Sequence, residues 1–308
     1  MLFLNNLVIY LMPTLTVLTP TYNRSNLLSK LCDSLLQQDC TDFEWLIIDD
    51  GSTDNTEEII NKKLEIRNSK FKVTYYKKEN GGKQTAINLG VKLADGDLIF
   101  IADSDDTLPS NAIETVIKYW ESIKDDKSFA GVCGLDADTQ GRIIGSGLPS
   151  EIIDDNTINI RFKLGISGDM KEVFRTDVLR EFPFPEIEGE KFCPEMLVWN
   201  RISTKYKLRY FNKVIYTADY QSTGISANII KARMNSPIAS MMTYQEMTEY
   251  DVPLIVKIRS AINYWRFRFC YHKRMDSNVS VPVLRKVWNV FSPIGFLMHL
   301  RDVIMVRQ

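Results

Sequence analysis

The chain has 308 residues, is 44% hydrophobic and 25% charged, and carries a formal net charge of −1. That composition is globular, with room for one large domain or a domain plus an appendage, and it excludes a chain-wide attraction to nucleic acid or to an anionic surface. Five cysteines, at 32, 40, 133, 193 and 270, form no CxxC pair and are odd in number, which argues against a zinc site or a complete disulfide framework and predicts a reducing compartment.

The opening stretch MLFLNNLVIYLMP is apolar, interrupted by Asn5 and Asn6, and holds no Lys or Arg. It is too short to span a bilayer and lacks the basic flank of a secretion signal, so it reads as an upstream extension with a natural start at Met12. No other window reaches about 18 uninterrupted apolar residues, which predicts a cytosolic or peripheral protein. Then strands and helices alternate. TLTVLT (14–19) is a β-branched run, and Asn23 or Ser25 can cap a helix through Gln38. FEWLIID (43–49) is a buried strand closed by the turn DDGSTDN, where Ser52 or Asp54 can cap a helix to about residue 66. FKVTYY (71–76), a helix over 83–94, DLIFIAD (97–103) and a helix over 110–124 follow. The alternation predicts an α/β fold, a mostly parallel sheet with helices on both faces. Such sheets bind ligands in the crevice beyond the strand carboxyl ends.

Four polar clusters fall on that rim: Thr19 to Arg24, then Asp49 and Asp50, then Asn80 to Lys83, then Asp103, Asp105 and Asp106. Any one is explained as a turn or a cap; four on one edge are not. Tyr22 can stack on a nucleobase and Asp50 can accept from a base N–H. Gly81 and Gly82 allow close backbone approach, and Lys83 at a helix N-terminus adds positive charge where the dipole favours phosphate. Three crowded carboxylates repel one another unless a cation sits among them, and an oxygen-only donor set suits Mg²⁺ or Mn²⁺ bridging to a diphosphate. A P-loop would need glycine where Lys77 stands, and no GxGxxG follows the first strand, so kinase and dehydrogenase readings drop out.

LTVLTPTYNR, WLIIDDGSTDNT and ENGGKQTAINLGVKLADGDLIFIADSDD, in that order and spacing, resemble the inverting nucleotide-sugar glycosyltransferases of family 2, with the GT-A fold. The resemblance covers about 14–120 closely and extends more loosely to about 220. It implies transfer of a sugar from a nucleoside diphosphate donor, usually UDP-linked, to an acceptor hydroxyl. By motif position it implies Thr19, Tyr22 and Asp50 around the nucleoside, with Lys83 nearby and Arg24 also binding the nucleotide, Asp103 toward the ribose, and Asp105 or Asp106 toward the metal. It also implies an acidic base opening a downstream helix. EIEGEKFCPEMLVWNRIS (186–203) offers Glu188, Glu190 and Glu195; Glu195, after Pro194, takes the family position, although Met196 stands where Asp is common. Gly168 and Asp169 are expected beside the donor sugar or acceptor. His272 and His299, the only histidines, lie far from the acids in sequence, which makes a histidine triad improbable.

From 252 to 308 the chain carries a net charge of +8, with aromatics interleaved in NYWRFRFCYHKR (263–274). Basic amphipathic segments with aromatic faces suit an anionic bilayer interface; helices packed on the catalytic domain or a second subunit are the plainer alternative. The expected organisation is a catalytic domain over 12–225 and a basic helical region over 226–308 for membrane or partner contact. The expected activity is metal-dependent inverting transfer from a UDP-sugar to a glycan acceptor, by family habit linked to a polyprenyl diphosphate, in surface polysaccharide assembly. The expected location is the inner face of the cell membrane, with no nucleic acid partner and oligomeric state open. The alternative is a nucleotide-sugar-binding pseudoenzyme or assembly subunit.

Overall fold

The computed structural model describes residues 12–67, 70–220, 228–271 and 280–307. The expected boundary at 225, residues 1–11, and His272, Lys273 and Arg274 lie outside the described residues.

Among the described residues eight strands form one sheet: β1 (Leu15–Thr21), β2 (Phe43–Asp49), β3 (Val73–Lys77), β4 (Leu98–Ile101), β5 (Phe129–Asp138), β6 (Ile152–Asp155), β7 (Met170–Arg175) and β8 (Lys207–Ala218). Their order is β3-β2-β1-β4-β7-β5-β8-β6. The first four pair in parallel, β7 runs antiparallel to both β4 and β5, β8 is parallel to β5, and β6 closes the far edge antiparallel to β8.

The strands β1, β2 and β4 are buried along their whole length, because helices cover both faces and successive side chains point to opposite layers. Leu15, Val17, Trp45, Ile47, Leu98 and Phe100 enter one layer with α1 (Ser25–Leu36) and α4 (Ala112–Glu121). Leu18, Leu46, Ile48, Ile99 and Ile101 enter the other, with α3 (Lys83–Leu93), α5 (Thr176–Glu181) and α6 (Glu195–Ser203). Helix α3 lies flush on the sheet because Gly90 has no Cβ: one built there would stand 2.1 Å from Leu18 Cδ1.

Several boundaries differ from the sequence expectation for identifiable reasons. The first strand continues through Pro20 to Thr21 because its partner β2 extends to Asp49. Neither Asn23 nor Ser25 caps α1. Asn23 instead adopts φ 52°, and its side-chain oxygen accepts the Thr53 N–H at 2.8 Å while its own N–H donates to Ser52 Oγ at 2.8 Å. The two loops at the ends of β1 and β2 are thereby locked together. Asp54, one of the two expected caps, does serve α2 (Thr56–Arg67), accepting from the Thr56 N–H at 3.1 Å.

The chain then adds α7 (Ile229–Asn235), α8 (Pro237–Met247), α9 (Leu254–Arg268) and α10 (Ser292–Arg307). These helices are joined to the sheet layer by polar pairs. Arg201 of α6 grips Glu246 of α8 with a shortest N···O distance of 2.6 Å. Glu190, 7% exposed, accepts from the Ile238 and Ala239 N–H groups at 2.7 and 2.9 Å, so it satisfies the first turn of α8 from a distant loop. Replacing Glu190 with Ala strands two buried donors, and we expect a loss of about 1–3 kcal/mol, read by urea unfolding; an unchanged midpoint would mean that water substitutes for the carboxylate.

Candidate active site

Beyond the carboxyl ends of β1, β2 and β4 opens a cavity of about 740 Å³. Most of the residues singled out from sequence meet on its wall: Tyr22, Arg24, Asp50, Lys83, Asp103, Asp105, Asp106, Asp169 and Glu195. Two do not. Thr19 is fully buried in the sheet, where its Oγ1 accepts from Trp45 Nε1 at 3.0 Å. Gly168, with φ 97°, makes a backbone crossing; a Cβ there would lie 2.1 Å from the Ile144 carbonyl oxygen.

The second polar loop is built around Asp50. Its Oδ1 accepts from the Gly81 N–H at 2.9 Å and from Lys78 Nζ at 2.7 Å, and its Oδ2 accepts from the Gly82 N–H at 2.7 Å and from Asn80 Nδ2 at 3.1 Å. The acceptor capacity of the carboxylate is taken up by the 78–82 loop. Gly82 is required for a related reason: at φ 97° a Cβ would stand 2.3 Å from the Lys191 carbonyl oxygen. The close approach made possible here is between this loop and the segment that leads to Glu195.

Lys83, the first residue of α3, sits between two acids. Its Nζ is 2.6 Å from Asp103 Oδ1 and 2.9 Å from Glu195 Oε1. Burial works against the ammonium, but the Asp103 and Glu195 charges outweigh it and raise the Lys83 pKa. For Asp103 burial opposes the charged form, and Lys83, then Lys171, hold its pKa below the usual carboxylate range.

The neighbouring acids lack that compensation. Burial, then the Asp103 charge, raises Asp105, and the same causes push Asp106 to about 6. Asp106 spends one oxygen on the Asp219 N–H at 2.7 Å. Among the described residues no group of three or more His, Cys, Asp or Glu side chains is arranged to hold a metal by itself. Two adjacent carboxylates short of positive charge are nonetheless the residues that would hold a divalent cation.

The inner half of the cavity holds residues that the sequence reading did not single out. Strand β7 brings Lys171 and Glu172 into the wall, with Asp136 from β5 beside them. Lys171 Nζ lies 3.7 Å from the centroid of the Tyr216 ring. Burial would lower its pKa, yet Asp103, Asp136, Glu195 and Asp106 together raise it. Burial pushes Asp136 up to about 7, and its Oδ1 is buried without a hydrogen-bond partner. The only sequence signal for this half was charge inside apolar strands, LDAD and MKEVF. Of the other base candidates, Glu188 is exposed and outside the cavity wall, and Glu190 is committed to α8.

Residues 16–141 match the model of "Glycosyl transferase family 2". A chondroitin synthase of Pasteurella multocida is 37% identical over 141 residues, which is 45% of this chain but 14% of that protein, so the chain spans a small part of that relative's length. A GalNAc(5)-diNAcBac-PP-undecaprenol beta-1,3-glucosyltransferase of Campylobacter jejuni is 29% identical over 231 residues, 70% of each chain. The crystal structure of S. aureus TarS 1–349 shares the fold, with a TM-score of 0.59 at 19% identity, over 94% of this chain and 88% of that one. The motifs, the sheet order and these likenesses agree: residues 16–141 match glycosyl transferase family 2, and the chain has a GT-A-like fold.

Proposed function

We propose that this protein is a metal-dependent inverting glycosyltransferase that moves a sugar from a UDP-linked donor to a hydroxyl of a lipid-linked glycan acceptor, in surface polysaccharide assembly at the inner face of the cell membrane. The observation that carries the reading is the shared ammonium of Lys83, which fixes an acid of the strand-end cluster and an acid opening α6 within one cavity. Two further facts support it. TarS has been solved with UDP and with UDP-GlcNAc, and the Campylobacter relative is named for a glycan on undecaprenyl diphosphate.

In this reading Tyr22, 47% exposed at the cavity mouth, stacks on the base, and Arg24 faces the diphosphate. Asp50 shapes the 78–82 loop against the nucleoside, and Asp103 accepts from the ribose. Asp105 and Asp106 would hold Mn²⁺ or Mg²⁺, whose charge would offset that building on the departing diphosphate; a Pyrobaculum calidifontis mannosyltransferase of this fold was solved with GDP-Man and Mn²⁺. Asp169 and the inner wall meet the sugars. The acceptor oxygen attacks the anomeric carbon from the face opposite the nucleotide. The new C–O bond forms as the bond to the diphosphate oxygen breaks, the electron pair leaves with the diphosphate, and Glu195 takes the acceptor proton. Lys83 holds that carboxylate in position.

Calorimetric titration with UDP, GDP and dTDP, with and without Mn²⁺, is expected to show metal-dependent binding of UDP that disappears in Asp105→Ala; metal-dependent binding that survives the substitution would remove Asp105 from the cation, and no binding of any nucleotide would overturn the reading. Glu195→Gln should keep the UDP affinity and lower turnover by roughly 10² to 10⁴-fold, the range of a lost general base. Normal turnover in that variant would place the base elsewhere on the wall. Lys171→Met removes the cation facing four carboxylates, and we expect weaker donor binding, by about tenfold, without loss of the fold by circular dichroism.

A further inference from the structure

Half of the exposed large apolar side chains of the described residues, ten of twenty, fall within residues 283–306. On α10 the two faces are both apolar but differ in what meets them. The inner face meets α9: Gly295 abuts Trp265, buried Asp302 accepts from Arg266 Nη2 at 2.7 Å, and at the edge of the contact the half-exposed Phe296 packs edge-on against Phe269 with ring centroids 5.0 Å apart. The aromatic stripe of α9 that the sequence offered to a bilayer is spent here. The outer face repeats at helical spacing, with Ile294, Leu297, Leu300, Ile304 and Met305 exposed and Arg301 exposed among them. Val283, Val287 and Val290 continue the exposed apolar series into the preceding segment, beside Arg285 and Lys286, which are exposed as well.

A surface this apolar requires a cover, and charge decides which. Residues 252–308 carry +8 in a chain whose total is −1. A second copy meeting this face about a twofold axis would set Lys286 and Arg301 against cations of the same face in a dry interface. An anionic bilayer takes the aliphatic residues among its acyl chains and neutralises the cations at the headgroups. Among the described residues no helix is long and apolar enough to cross a membrane, so the contact is one that lies in the interface plane.

We infer that the outer face of α10, with residues 283–290, is the surface by which the protein lies on an anionic lipid bilayer. This deepens the proposed function, which places the acceptor at a membrane, and it is tested apart from turnover. The full chain is sedimented with vesicles of phosphatidylglycerol and phosphatidylethanolamine, and with neutral phosphatidylcholine vesicles. Binding is expected on the anionic vesicles only, and to fall about tenfold or more in both Leu297→Asp/Ile304→Asp and Lys286→Glu/Arg301→Glu, with UDP affinity in solution unchanged as the check on folding. Wild-type binding by both variants overturns the inference. So does a chain that ignores vesicles and elutes as a dimer split by Leu297→Asp/Ile304→Asp, which would make the cover a second copy. Vesicle binding by a chain that binds no nucleotide would leave the surface standing and defeat the catalytic reading instead.

Discussion

The site depends on one ammonium group held between two carboxylates. Lys83 opens a helix, where the backbone dipole is unfavourable to a cation by about 0.3–1 kcal/mol, and it is drawn out of water as well. Each carboxylate at under 3 Å offsets this with an attraction of about 4 kcal/mol or more at an intermediate dielectric. The arrangement is therefore stable only if β4, α3 and α6 deliver their ends to the same point. Much of the surrounding structure serves that requirement: the 78–82 loop wound around Asp50, the glycine that lets the Lys191 carbonyl pass, and the flush seat of α3 on Leu18. Remove the ammonium, and two acids from distant parts of the chain are left to the charge of Lys171 alone among the buried cations of the inner wall.

The half of the fold that carries this arrangement is legible in the sequence because its signals are local. Runs such as FEWLIID and DLIFIAD announce buried parallel strands, and the acids at their ends announce a rim. The other half is not, for a physical reason. Strand β7 enters between β4 and β5 from about 70 residues downstream of β4, and nothing in MKEVFR says which neighbours it will have. Only pairing with β4 and β5 turns Lys171 and Glu172 from ordinary strand charges into cavity wall. Glu190 is a similar case: residue type makes it a candidate base, and only the fold shows its two oxygens committed to backbone donors 48 and 49 residues away.

The C-terminal helices show where periodicity stops short. Trp265 and Phe269 recur at the spacing of an amphipathic face, but spacing does not say whether that face meets lipid, solvent or another helix. The Arg266–Asp302 pair settles it, since buried charges are stable only together, and closing that pair turns the aromatics inward against α10.

The antiparallel entry of β7 also divides the molecule's inheritance. Contacts proposed for the nucleotide come from the parallel strands and their loops, whereas the inner wall comes from β5, β7 and the turn before β7. Lys171 stands between the two sets, and its charge is felt by acids on both sides. In the proposed reaction such a scaffold would keep one activated carrier while it changes the sugar it handles, and β7 is the seam along which such divergence would run.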